Sequence, residues 1–220
     1  MASDKLEPIL TLVRNHVEQI RPSVRLMRDS CAGNIQVFSA LHDLALSAAG
    51  NVDVTPFSNC AVHVSVVGRD LANFQLLTLD AWSDHNLTPT LISHFYLASF
   101  EFMERWPKVL SEKSMRTCLV KIRADGFNEE IKSLNLSFVA VRDVWWSRLQ
   151  VVRNNLAAHY DSNATTLLAS LEELNIMSFL ELMHLVNKLQ LDTLTTLTAI
   201  SDEMQAFLRR VASTTWSSSV

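Results

Sequence analysis

The segment Arg153-Asn154-Asn155-Leu156-Ala157-Ala158-His159-Tyr160-Asp161 holds the residue types and spacing that bear most directly on chemistry. A permanently charged, planar guanidinium is followed by a polar neighbour and, six positions on, by an imidazole that exchanges a proton near neutral pH. With 13 Arg, seven His and three allowed spacings, about one such pair is expected by chance, and one is present. The context adds weight: Asn154 directly after the arginine, Ala157-Ala158 before the histidine, Asp161 beyond it. A plainer account also fits these residues. Arg153 is then a surface cation, and His159 caps a helix C-terminus, where a positive group gains roughly 0.3–1 kcal/mol.

Other candidates are weaker. Glu181-Leu182-Met183-His184 has the Glu-x-x-His spacing of di-iron bundles, but such sites need two of these motifs and no second one exists. His184 therefore reads as an ordinary helix-surface residue. His42-Asp43, His63, His85 and His94 fall on separate expected elements and would meet only through tertiary folding. Trp145 falls on an apolar stripe and reads as core, while Trp146 beside it suits an interface. No Gly-rich phosphate loop, Gly-x-Ser-x-Gly elbow or His-Glu-x-x-His occurs. No metal or cofactor is implied.

The elements that must position these residues are helices. Gly (4) and Pro (5) are scarce for 220 residues, whereas β and α/β folds need many turn residues with special φ. A hydrophobic fraction of 48% supplies core for one all-α domain, expected over 1–212, with a Ser/Thr-rich flexible tail at 213–220. A net charge of −4 carries no global basic field for nucleic acid, though a local basic patch remains compatible. Cys31, Cys60 and Cys118 lack metal or redox spacing, which points to a reducing cytoplasm. The first eight residues have no signal-peptide pattern, and no stretch reaches the ~18 apolar residues of a membrane span.

Periodicity and breakers predict a bundle of long antiparallel helices. The first runs to about Ile20, where Pro22 breaks or kinks it, and the second covers 34–48. A third spans 56–82, although Val62-His63-Val64-Ser65-Val66 alternates like a strand. A fourth covers 88–106, closed by Pro107. A fifth covers 111–124 and ends at Asp125-Gly126. The next starts at an Asn128 N-cap and carries Leu134, Phe138, Val141, Trp145, Leu149, Val152 and Leu156 as one apolar stripe. A short helix is expected near 165–174, and a last long one over 178–211, with an interruption near Asp192-Thr193.

At Arg153, Asn154 and His159 the chain resembles the HEPN superfamily, whose signature is arginine, four to six residues, then histidine, often with a polar residue just after the arginine. Within it, the segment looks most like the abortive-infection proteins of bacterial defence. The specific match covers nine residues, and elsewhere only helical architecture is shared. The resemblance implies a metal-independent endoribonuclease acting by 2′-OH transesterification. His159 would transfer the proton, Arg153 would stabilise phosphorane-like charge, and Asn154 would orient one of them or the phosphate. It also implies a homodimer, an RNA substrate, and an antitoxin or defence-system partner protein. Six residues at 100° each put Arg153 and His159 about 120° apart on a straight helix. They share a site only if the helix bends or ends near Ala158, or if two copies build it together. HEPN-like families also include silent members, so a non-catalytic dimerisation or interaction module is the rival reading.

Overall fold

The computed structural model describes residues 3–48, 53–84, 87–157 and 176–217. Six α-helices account for nearly all of them: α1 (Ser3–Ala48), α2 (Thr55–Asp80), α3 (Leu87–Leu110), α4 (Lys113–Lys121), α5 (Asn128–Ala157) and α6 (Ile176–Ser217). No strand occurs among the described residues, and the alternating stretch at Val62–Val66 lies inside α2.

The largest departure from expectation is α1, which runs unbroken through Pro22 and Gly33. Val17, Val24, Cys31, Phe38 and Ala45 are buried at intervals of seven, and Ile20, Met27 and Leu41 follow three positions after members of that series. This is a heptad seam packed on α2. An interior proline costs about 3 kcal/mol. Burying one Val or Phe gains roughly 1.5–3 kcal/mol, so five seam positions outweigh it. Pro107 is likewise internal to α3, where buried Trp106 and Leu110 anchor the last turn around it.

Two boundaries also differ. α4 ends at Lys121, well before Gly126, in a Schellman turn: Arg123 N–H donates to Val120 O (3.1 Å) and Ala124 N–H to Leu119 O (2.8 Å). Arg123 occupies the left-handed position of that turn at φ 61°. Asn128 is no cap. A 3₁₀ turn over Asp125–Phe127 leads into α5, and Asn128 is already helical at φ −60°, ψ −34°. α6 passes Asp192-Thr193 without interruption; Thr193 is buried with its hydroxyl bonded back to Leu189 O, and Leu194 and Leu197 continue the buried face beyond it. Helix continues to Ser217, inside the Ser/Thr-rich segment. The short helix expected near 165–174 lies outside the described residues.

Cross-helix pairs give the packing directions. Phe38 meets Phe57 edge-on and Arg21 pairs with Asp80, so α1 and α2 are antiparallel. His63 against Trp106 and Phe74 against His94 make α2 and α3 antiparallel. Phe102 with Phe138 and Tyr96 with Trp145 do the same for α3 and α5. α6 crosses α2 antiparallel, held by reciprocal amide bonds between Gln75 and Asn187 (2.8 and 3.1 Å). At Gly68 the approach is close enough that a Cβ would lie 1.8 Å from the Gln190 side chain, whose amide donates to Cys31 Sγ.

Candidate functional site

α5 places Arg153 and Asn154 in its last described turn. One face of α5 buries Leu134, Phe138, Trp145, Leu149 and Val152, with Val141 half-buried, which bears out the apolar stripe and turns Arg153 and Asn154 outward. The Arg153 side chain is 46% exposed; its Nε lies 3.8 Å from Glu101 Oε1 on α3, and its guanidinium carbon 4.8 Å from the Phe100 ring centre. Phe100 in turn stacks on Trp146 at 4.5 Å and 25°, and the Arg142 guanidinium lies 5.8 Å from the Trp146 ring. A ladder of Arg142, Trp146, Phe100 and Arg153 therefore crosses the α3–α5 seam. Trp146 is half-buried within it, and Trp145 is core.

The magnitudes show what this ladder does. An exposed ion pair is worth about 0–1 kcal/mol, and an exposed cation–π contact about 0.5–1 kcal/mol. These orient the guanidinium without committing it, so an incoming anion can displace Glu101. Asn154 is exposed. His159 lies outside the described residues, as does Asp161, so only two of the three residues of the motif have a described position.

The remaining sequence candidates separate. His184 and Glu181 are exposed on α6. His94 stacks on Phe74 at 5.9 Å and 11°, and His85 lies outside the described residues. Among the described residues no group of three or more His, Cys, Asp or Glu could hold a metal ion. All three cysteines are buried; burial pushes the Cys31 thiol up to about 11 and the Cys60 thiol to about 12, and raises Cys118. Thiolate chemistry at neutral pH is thereby disfavoured.

His42 and His63, twenty-one residues apart, do come together, lining one cavity of about 550 Å³ between α1 and α2 with Ser39, Asp43, Ser58 and Asn59. Burial, and secondly the charge of Arg105, lower the pKa of His63 and keep its imidazole neutral. No spacing rule joins these residues. Only the antiparallel pairing of α1 with α2, set by Phe38 on Phe57, faces them toward each other.

No helix of the described residues is long and apolar enough to cross a membrane. Comparison with protein-family models, with curated proteins and with solved structures gives no match to this chain.

Proposed function

We propose that this chain is a HEPN-like, metal-independent endoribonuclease of cellular or antiviral defence, working in the cytoplasm as a homodimer. The observation that carries the reading is the outward-facing pair Arg153–Asn154 at the end of α5, with the guanidinium oriented by Phe100 and Glu101 but only weakly held. In the reaction, the ribose 2′-OH attacks the adjacent phosphorus and the 5′-oxygen leaves. His159 moves the proton, Arg153 stabilises charge on the equatorial oxygens, and Asn154 orients the phosphate. The products end in a 2′,3′-cyclic phosphate and a 5′-hydroxyl. An antitoxin or another defence protein would restrain the activity.

A second copy has a face to use. Leu136, Val144 and Val151 are 64%, 71% and 47% exposed on α5, and helical geometry puts them within about 80° of one another. Asn154 falls in the same sector. A symmetric contact there would resolve the angular separation of Arg153 and His159 by building the site from two chains.

The rival reading, a non-catalytic interaction module, draws on the same contacts. Arg153 already ties α5 to α3, and an exposed apolar stripe needs no chemistry to hold a partner.

RNA cleavage separates the two. His159→Ala and Arg153→Ala should each lower the rate by about 10²–10⁴ with the fold intact, and Arg153→Lys should recover part of it. Excess EDTA should leave cleavage unchanged, and RNA with a 2′-O-methyl at the cut site should be inert. Mixing the two alanine variants should restore about a quarter of wild-type activity through mixed dimers, if one site takes its arginine and histidine from different chains. Equal cleavage by wild type and His159→Ala, or abolition by EDTA, would leave the interaction module in its place.

A further inference from the structure

Many cations of this chain stand beside a carboxylate. Arg21 pairs with Asp80 at 3.1 Å, Arg142 with Asp143 at 3.0 Å and Lys188 with Asp192 at 2.7 Å. α4 and its closing turn differ. Lys113, Arg116, Lys121 and Arg123 are all exposed, no acid falls between them in the chain, and none makes an ion pair among the described residues. Lys113 even opens the helix, at the end where the macrodipole favours acids.

The cationic run continues toward Arg153. Arg105 and Ser114 line one depression of about 430 Å³, and Ser114 lines the next, of about 290 Å³, with Lys113 and Lys121. On the exposed stripe of α3, Glu101, Arg105 and Lys108 follow at helical spacing, and Glu101 is the residue that Arg153 faces at 3.8 Å. At the other end, Asp125, Glu129 and Glu130 close the run where α5 begins. Four carboxylates lie within it: Glu101, Glu104 (tied to Lys108 at 3.5 Å), Asp53 and Glu112. Its seven cations exceed them by three, so the rest of a chain of net charge −4 carries −7. Such polarity steers a polyanion to one side of the molecule.

The cations select a phosphodiester chain. Its phosphates carry separate charges, and each one neutralised by Lys or Arg releases counterions. A bilayer fits poorly: Met115, Cys118 and Leu119 are buried against the fold, and Val120, 60% exposed, is the one large apolar side chain that α4 offers for insertion. α4 has no aromatic ring to stack on a base, so the contact is with the backbone and carries no sequence preference.

We propose that single-stranded RNA lies with its phosphodiester backbone along this run, over α4, past Arg105 and on to Arg153. The choice of RNA and the end at Arg153 rest on the ribonuclease reading; the cationic run does not.

An RNA of about 20 nucleotides, longer than common single-strand site sizes, tests this when every sugar is 2′-O-methylated and cleavage is blocked. Fluorescence anisotropy with the full chain across a salt series gives affinity and its salt dependence. Wild type should bind, and more weakly as salt rises. Lys113→Gln, Arg116→Gln and Lys121→Gln combined should weaken binding about tenfold or more. They should also flatten the log–log salt dependence by about 2, since each single-strand contact contributes about 0.7. Arg14→Gln, Arg25→Gln and Arg209→Gln combined remove the same charge from exposed cations on α1 and α6, and should leave binding within about twofold, because distant charges are screened. The proposal is overturned if the α4 variant binds like wild type, or if the α1–α6 variant weakens binding equally. It is also overturned if wild type binds vesicles of about one-third phosphatidylserine but no RNA. Cleavage is read separately: binding through α4 without any cleavage sinks the ribonuclease reading alone, and cleavage with an unchanged KM in the α4 variant sinks this proposal alone.

Discussion

Arg123 carries a turn that glycine usually carries. A left-handed L-residue costs about 1–2 kcal/mol, which the two Schellman bonds to Val120 O and Leu119 O hold in place. Arg123→Gly removes that strain, and the extra freedom of glycine in the unfolded chain returns part of it. The net expectation is a gain of about 0.5–1 kcal/mol, read as a higher urea midpoint at unchanged slope. A lower midpoint would mean that the Arg123 side chain does more than fill the turn. The same scale shows what single residues disclose in sequence. Arg153 and Asn154 were legible because their spacing to His159 is local and their exposure follows from the apolar stripe on the other side of α5. His42, Ser58 and His63 were not. Their relation exists only after two helices pair.

Helices, as elements, were legible from what the chain lacks and from period, but their ends were not. Pro22 reads as a break or kink, and Pro107 and Gly126 read as stops, yet none of them ends a helix. Propensity is a local cost, while the seam Val17, Val24, Cys31, Phe38, Ala45 is a sum over five packed positions, and the sum prevails. That seam stands in the sequence at strict sevens, but the expected break at Pro22 and the expected helix start at 34 cut across it. α2 crosses α6 at Gly68, where fully buried Gln190 and Cys31 leave no room for a methyl group. Gly68→Ala should therefore destabilise by about 1–3 kcal/mol through overpacking, despite alanine's better helix propensity of up to about 1 kcal/mol. Gly33, with open space around its Cβ position, supplies the control: Gly33→Ala should be neutral or stabilising by thermal melting. If both alanines behave alike, the close crossing is not what holds α2 to α6.

Taken whole, the molecule keeps its three thiols inside, and this gives its stability an alkaline limit. An unfolded cysteine ionises near its ordinary value of 9, while Cys31 waits until about 11 and Cys60 until about 12. Above pH 9 the native state binds more protons than the unfolded one. Stability then falls as pH rises, by about 1.4 kcal/mol per pH unit for each such thiol. This contribution is fully present below pH 9 and exhausted once the folded thiols ionise. Urea midpoints should drop steeply from pH 9 to 11, and Cys60→Ala should flatten the drop even if its midpoint at pH 7 is lower. An unchanged slope would assign the alkaline loss to other groups. Cys31 also belongs to a feature with a different kind of consequence. A pattern repeating every seven residues looks the same to its neighbour after a slide of one repeat, so the α1 seam alone is ambiguous about where along α2 it should stop. Gly68 is the one glycine of α2, and the Gln190 side chain fills the gap it leaves while reaching Cys31. That notch works as a detent: together with the Gln75–Asn187 amide pair, it tells α1, α2 and α6 which of several alignments along the repeating seam is the correct one.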